Sequence, residues 1–176
     1  MKGLVARVKA LLLTPRTEWP VIARERTTAA ELFINYVAIL AAIPAVVHLI
    51  GQAFVSEARV PFLRELLSAV LSYLVSLAAV YVIAWAIDLL APRFGGKRNF
   101  PYALKLSAYA HTPFWLAGIF LLVPGLNFLL VLGLYGFYLL WLGLPLLMEV
   151  PDADAPRYTA WVALCALVPV VLLGIV

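Results

Sequence analysis

The residues of this sequence whose types could do chemistry are the few polar side chains within or beside long apolar runs. Charged residues are only 12% of the 176 residues, whereas 65% are apolar. An ionisable side chain inside hydrocarbon is costly unless it faces a protein interior or water, so such residues are candidate functional groups. The candidate set has six members: Glu31, Asn35, Asp88, Lys105, Tyr109 and His111.

The six residues allow two interpretations. They could converge near the inner membrane surface as a polar pocket or an ion or proton site, with His111 as its deepest titratable member. In the other interpretation, Glu31, Asp88 and Lys105 pair with one another at the interface. His111 then bonds a carbonyl that Pro113 frees, or one on another helix.

Motifs typical of enzymes and of metal sites are absent from the sequence. It has no glycine-rich phosphate loop, no His-Glu-x-x-His pattern and no Gly-x-Ser-x-Gly elbow. Its single cysteine, Cys165, excludes an intrachain disulfide and a cysteine-based metal site. We therefore expect a non-enzymatic protein that uses no cofactor and no metal.

The amino-acid composition indicates which kind of secondary structure must position these residues. Soluble domains are about 45–50% apolar and about 25% charged. The mean hydropathy of +1.03 excludes a soluble domain, a disordered segment and a disulfide-stapled secreted module. The sequence predicts an all-α polytopic membrane protein.

Five apolar runs are each long enough for a span, which needs about 20 residues. The predicted spans are residues 29–51, 66–90, 102–122, 126–148 and 158–176. The third and fourth are separated by Pro124-Gly125, a strong turn signal, so we expect a tight turn between them.

Residues 1–28 are predicted to form a cytoplasmic amphipathic segment, interrupted at Thr14-Pro15, with a second short helix over roughly residues 18–26. Its basic side chains are expected to contact anionic lipid headgroups. An alternative is that the segment caps the bundle without a partner. The predicted lipid-facing residues are Lys2, Arg7, Lys9 and Arg16.

The distribution of basic residues predicts the orientation, because cytoplasmic loops are enriched in lysine and arginine. With the N-terminus inside, the outer loops carry only Arg59 and Arg64, and the other basic residues lie on the inner side. We expect a cytoplasmic N-terminus and a C-terminus on the opposite side.

Several short motifs resemble those of the Yip family (Ypt/Rab-interacting membrane proteins), and in particular its bacterial members. The resemblance covers roughly residues 10–176. It is strongest at Phe94-Gly95-Gly96-Lys97 and extends to Pro15 with Trp19, to Ala108-Tyr109-Ala110 and to Pro113.

The resemblance implies the bacterial branch of the family, and the basic composition with no recognisable targeting signal suits a bacterial inner (plasma) membrane. Eukaryotic relatives bind Rab-type GTPases through a longer cytosolic N-terminal region. Only residues 1–28 precede the first predicted span of this chain, so GTPase binding is not carried over.

Two functions remain open at this point. The first is a non-enzymatic scaffold that organises the membrane or interacts with other proteins. Its expected partners are anionic headgroups, with a homo-oligomer or a membrane-protein partner as further options, and no nucleic acid. The alternative is a small transporter or channel component for an ion or small solute that uses Glu31, Asp88 and His111.

Overall fold

The structure, a computed structural model, describes residues 3–54, 61–123 and 125–175. All regular elements within these ranges are helices, which confirms the all-α class for this part of the chain. Lys2 and Arg59, both used in the sequence predictions, lie outside the described residues.

Two short helices precede the apolar segments. Helix α1 spans Leu4–Leu13 and helix α2 spans Pro15–Arg24. Pro15 is well placed at the first position of α2, where its missing N–H would have no helical partner in any case. The predicted interruption at Thr14-Pro15 is therefore confirmed, although α2 begins and ends earlier than expected.

The first apolar segment is one continuous helical run that contains a π-helical turn. It consists of α3 (Ala29–Leu32), a π-helical turn (Phe33–Val37) and α4 (Ala38–Phe54). Thr28 and Glu31 form a capping box: the Glu31 N–H donates to Thr28 Oγ1 at 3.2 Å, and the Thr28 N–H donates to Glu31 Oε2 at 3.0 Å. This box determines where the run begins.

Three segments of the described chain are long and apolar enough to cross a membrane. They are Ala29–Gly51, Phe62–Phe94 and Asn127–Met148. They coincide with the first, second and fourth predicted spans. The second contains α5 (Phe62–Leu90), and the last joins a 3₁₀ segment (Asn127–Leu134) to α8 (Tyr135–Met148).

The third predicted span is divided into pieces. Helix α6 (Phe100–Ala110) ends at His111, α7 (Thr112–Ala117) follows, and a 3₁₀ segment covers Gly118–Leu122. Pro113 explains the division, because proline cannot donate the backbone hydrogen bond that would continue α6.

The next turn is tight, as predicted. The Leu126 N–H donates to the Val123 carbonyl at 3.1 Å. Gly125 has φ +91°, a backbone conformation that favours glycine. Helix α9 (Ala155–Ile175) completes the described chain.

Helix α6 lies at the centre of the bundle and contacts α5 and α8. Every side chain from Ala103 to Tyr109 is buried. A Cβ on Gly136 of α8 would overlap the carbonyl oxygen of Ala110, so the backbones of α6 and α8 touch at this point. The central position of α6 determines the surroundings of three candidate residues: Lys105, Tyr109 and His111.

Candidate functional site: a buried charge cluster and an apolar cavity

A cluster of charged side chains lies where the two N-terminal helices meet α6. We call Arg7, Glu18, Glu25 and Lys105 the charge cluster. The Arg7 guanidinium pairs with Glu18 through one terminal nitrogen and with Glu25 through the other. The side chain of Arg7 is 0% exposed and that of Glu18 is 3% exposed. These pairs tie α1 to α2 and to the chain just beyond it.

The prediction that Arg7 contacts lipid headgroups is wrong, because its side chain is buried in ion pairs. Burial by itself lowers the pKa of Arg7, but the hydrogen bond to Glu25 and the nearby acidic groups outweigh it and raise the pKa above its ordinary value. Lys9 and Arg16 are exposed and remain available to headgroups.

The sequence carries a signal for the buried position of Arg7. Leu4, Arg7 and Leu11 are three and four residues apart, which puts them on one face of α1. Leu11 is buried and Leu4 packs against the core. Arg7 therefore lies on the apolar face of the helix, where a charge needs acidic partners.

Lys105 of α6 binds the end of α2 rather than a membrane pocket. Its Nζ donates to the carbonyl oxygens of Ile22 at 3.3 Å and Glu25 at 2.5 Å. Ile22 lies in the last turn of α2 and Glu25 directly follows the helix, where the carbonyls carry partial negative charge, so a lysine there is favourable. Lys105 thus fastens α2 to α6.

Aromatic rings continue from the charge cluster into the bundle. The Arg7 Cζ lies 5.7 Å from the centre of the Tyr109 ring. Tyr109 meets Trp19 and Tyr36 edge-to-face, with ring centres 6.3 Å and 4.8 Å apart. The hydroxyl of Tyr36 is 2.7 Å from Thr112 Oγ1. This packing joins α1 and α2 to the π-helical turn and to α7.

The other candidate residues have separate surroundings. Asp88 accepts hydrogen bonds from Nε and Nη2 of Arg98, at 2.8 Å and 2.7 Å. Glu31 is occupied by its capping box, and Asn35 is exposed. The structure therefore brings Lys105 and Tyr109 together at the charge cluster but does not assemble the six residues into one pocket. Glu31, Asp88 and Lys105 do not pair with one another either.

His111 borders a cavity of about 290 Å³ that is lined by α5, α6, α7, α8 and α9 and by the 3₁₀ segment Asn127–Leu134. Its Nδ1 is 2.7 Å from the carbonyl oxygen of Ser107, within its own helix turn. Most of the lining is apolar. Ser76 and Ser107 also line the cavity: Ser76 Oγ accepts a hydrogen bond from Trp115 Nε1 at 2.9 Å, and Ser107 Oγ donates to the Val80 carbonyl at 2.8 Å.

The Phe94-Gly95-Gly96-Lys97 motif fastens the end of α8. A Cβ on Gly96 would lie 2.8 Å from the carbonyl oxygen of Met148, so only glycine lets the two chains approach. The Lys97 N–H donates to that carbonyl at 2.9 Å. Gly95 has φ +72° and ends the 3₁₀ turn Ala91–Phe94, which follows α5.

Side chains of the same motif also reach the start of α9 and the end of α8. The Phe94 ring stacks on Tyr158 with centres 4.8 Å apart. Lys97 Nζ pairs with Glu149 at 2.5 Å, and this hydrogen bond raises the pKa of Lys97. The motif therefore has a structural role in this chain. No group of three or more His, Cys, Asp or Glu side chains suited to a metal ion occurs in the described ranges.

Comparisons with known proteins identify one family and two relatives. A family model described as the Yip1 domain matches residues 9–176. The inner membrane protein YohC of Escherichia coli K12 is 27% identical over 167 residues, which cover 89% of this chain and 86% of that protein. YohC of E. coli O6:H1 matches with the same identity and coverage. No solved structure matches the chain.

Proposed function

Because the chain belongs to the Yip1 domain family, we propose that it is a non-enzymatic, multi-pass protein of a bacterial inner membrane that organises the membrane through its cytoplasmic face. The observation that carries this proposal is the charge cluster. Arg7 and Lys105 hold α1 and α2 against the bundle as a fixed layer, with Lys9 and Arg16 exposed on it. The inner-membrane location of YohC supports the compartment.

The proposal includes five spans with the N-terminus inside. Helix α9 has 21 residues. At about 1.5 Å per residue, a helix of that size matches the roughly 30 Å hydrocarbon core. Residues 100–122 form the remaining span, because a broken helix is tolerated at membrane depth where protein surrounds it. Buried α6 meets that condition.

We expect anionic lipid to protect α1 and α2 from amide hydrogen exchange. A basic side chain near an anionic surface contributes about 1 kcal/mol. In nanodiscs that contain phosphatidylglycerol, exchange in residues 3–24 should be about five- to thirtyfold slower than in pure phosphatidylcholine. Hydrogen-exchange mass spectrometry of the full chain measures this difference.

Matched variants identify the residues responsible. The double variant Lys9→Gln/Arg16→Gln should reduce the lipid dependence, while Arg24 and Arg26 remain exposed. High salt should remove the dependence from the wild type, because exposed charges are screened. Arg64→Gln removes an exposed charge near the start of α5 and should leave the lipid dependence intact. Equal exchange in both lipids would rule out headgroup binding by this layer.

The scaffold proposal also predicts that the protein conducts no ions. We prefer it to the transport alternative because Glu31, Asp88 and His111 bond to three different sets of partners. Proteoliposomes should therefore show proton and potassium fluxes equal to those of empty liposomes. A flux that Asp88→Asn or His111→Ala abolishes would favour the transporter.

A further inference from the structure

The cavity beside His111 lies where α5, α6, α8, α9 and the 3₁₀ segment Asn127–Leu134 contribute small residues. It lies between the two long apolar segments Phe62–Phe94 and Asn127–Met148, with α6 and α9 closing the other sides. Its volume of about 290 Å³ is close to the lower end of small-molecule sites, which begin at about 300 Å³. The small residues that line it are Ala79, Ala110, Gly133, Gly136, Ala163 and Ala166.

The cavity has a buried wall and an apolar rim. Ile83, Leu140 and Val162 on the wall are at most 5% exposed. On the rim, Phe114 is 41% exposed and Leu134 is 57% exposed. Since both rim side chains are apolar and exposed, and Leu134 belongs to the apolar segment Asn127–Met148, the cavity opens toward hydrocarbon and suits an apolar chain.

His111 supplies the one side-chain hydrogen-bonding atom of the cavity that has no partner within the described ranges. A carbonyl oxygen only accepts, so Nδ1 carries the proton that is donated to Ser107. In the neutral ring the other nitrogen, Nε2, is then an acceptor. The hydroxyls of Ser76 and Ser107 each have one partner already: Ser76 Oγ accepts from Trp115 Nε1, and Ser107 Oγ donates to the Val80 carbonyl.

We propose that this cavity binds a neutral membrane lipid that bears a free hydroxyl group, such as a diacylglycerol. The lipid hydroxyl donates to His111 Nε2, part of one acyl chain occupies the apolar wall, and the rest leaves over the rim into the bilayer. A mostly apolar lining suits the acyl chain, and Nε2, as the lining atom without a partner among the described residues, suits the hydroxyl donor. The site involves none of the basic residues of the N-terminal layer, so it is independent of headgroup binding.

Native mass spectrometry of the detergent-solubilised full chain tests the proposal. Titration with dioleoylglycerol should give a one-to-one complex. The same lipid with its hydroxyl acetylated should bind about two- to tenfold more weakly, since one hydrogen bond is lost. This comparison needs no variant. Absence of a one-to-one complex, or equal binding of the two lipids, would overturn the proposal.

Two variants locate the site. His111→Phe keeps an aromatic ring but removes the acceptor, so it should bind both lipids equally. Ala163→Phe fills the cavity and should lose both, whereas Ala160→Phe on the exposed face of the same helix should bind like the wild type. A hydroxyl preference that persists in His111→Phe, or normal binding by a folded Ala163→Phe, would refute the site. If Ala163→Phe does not fold, the two-lipid comparison in His111→Phe decides.

Discussion

Arg7→Ala is expected to lower the free energy of unfolding by about 3–5 kcal/mol, the loss typical of removing one partner from a buried ion pair. Arg7 is 0% exposed, and its removal takes away the guanidinium that pairs with both Glu18 and Glu25. The N-terminal helices should then separate from α6. Unfolding of the detergent-solubilised protein, followed by tryptophan fluorescence, measures the change.

Lys9→Ala is the matched control for this prediction, because Lys9 lies on the same helix but is exposed. Its effect should stay within about 0.5 kcal/mol. Arg7→Lys should fall between the two, since an ammonium keeps the charge but not the fork that reaches two carboxylates at once. If Arg7→Ala is as stable as Lys9→Ala, the ion pairs do not hold this layer in place.

Gly136→Ala is expected to destabilise the bundle by about 1–3 kcal/mol, the usual effect of overpacking. The added methyl group would overlap the carbonyl oxygen of Ala110, which is backbone and cannot rotate away. Helices α6 and α8 would have to move apart. The same unfolding measurement detects this.

Gly51→Ala makes the same substitution at a site where we expect the free energy of unfolding to rise. A Cβ at Gly51 meets no atom within 4 Å, and the residue lies in helix α4. Replacing an unstrained glycine by alanine usually stabilises by about 0.4–1 kcal/mol. The two variants should therefore shift stability in opposite directions. A loss at Gly51 equal to that at Gly136 would show that close packing of α6 on α8 is not the cause.

Helix breaks and turns could be predicted from the sequence, because they depend on the backbone preferences of one or two residues. The helix break at Thr14-Pro15 and the turn at Gly125 depend on proline geometry and on a positive φ, both properties of the residues themselves. The contact of His111 with a backbone carbonyl was one of two interpretations, but its partner, Ser107, lies four residues away in its own helix.

Long-range partners were not predictable in the same way. Lys105 donates to the backbone carbonyls of residues 22 and 25. Every residue has a backbone carbonyl, so the sequence does not indicate which ones a lysine will bind. The expected convergence of six residues relied on membrane depth alone. Depth leaves the rotation of each helix about its axis open, and this rotation directed Asp88 to Arg98 and Lys105 to the end of α2.

By itself the sequence determined that the chain needs lipid, that it is helical and where several helices end. These properties follow from hydrophobic transfer and from backbone sterics, which act within a few residues. Only the tertiary structure decided that Arg7 is buried, that the Phe-Gly-Gly-Lys motif fastens α8 to α9, and that a cavity opens beside His111. Each of these depends on how side chains from distant segments meet when the helices pack.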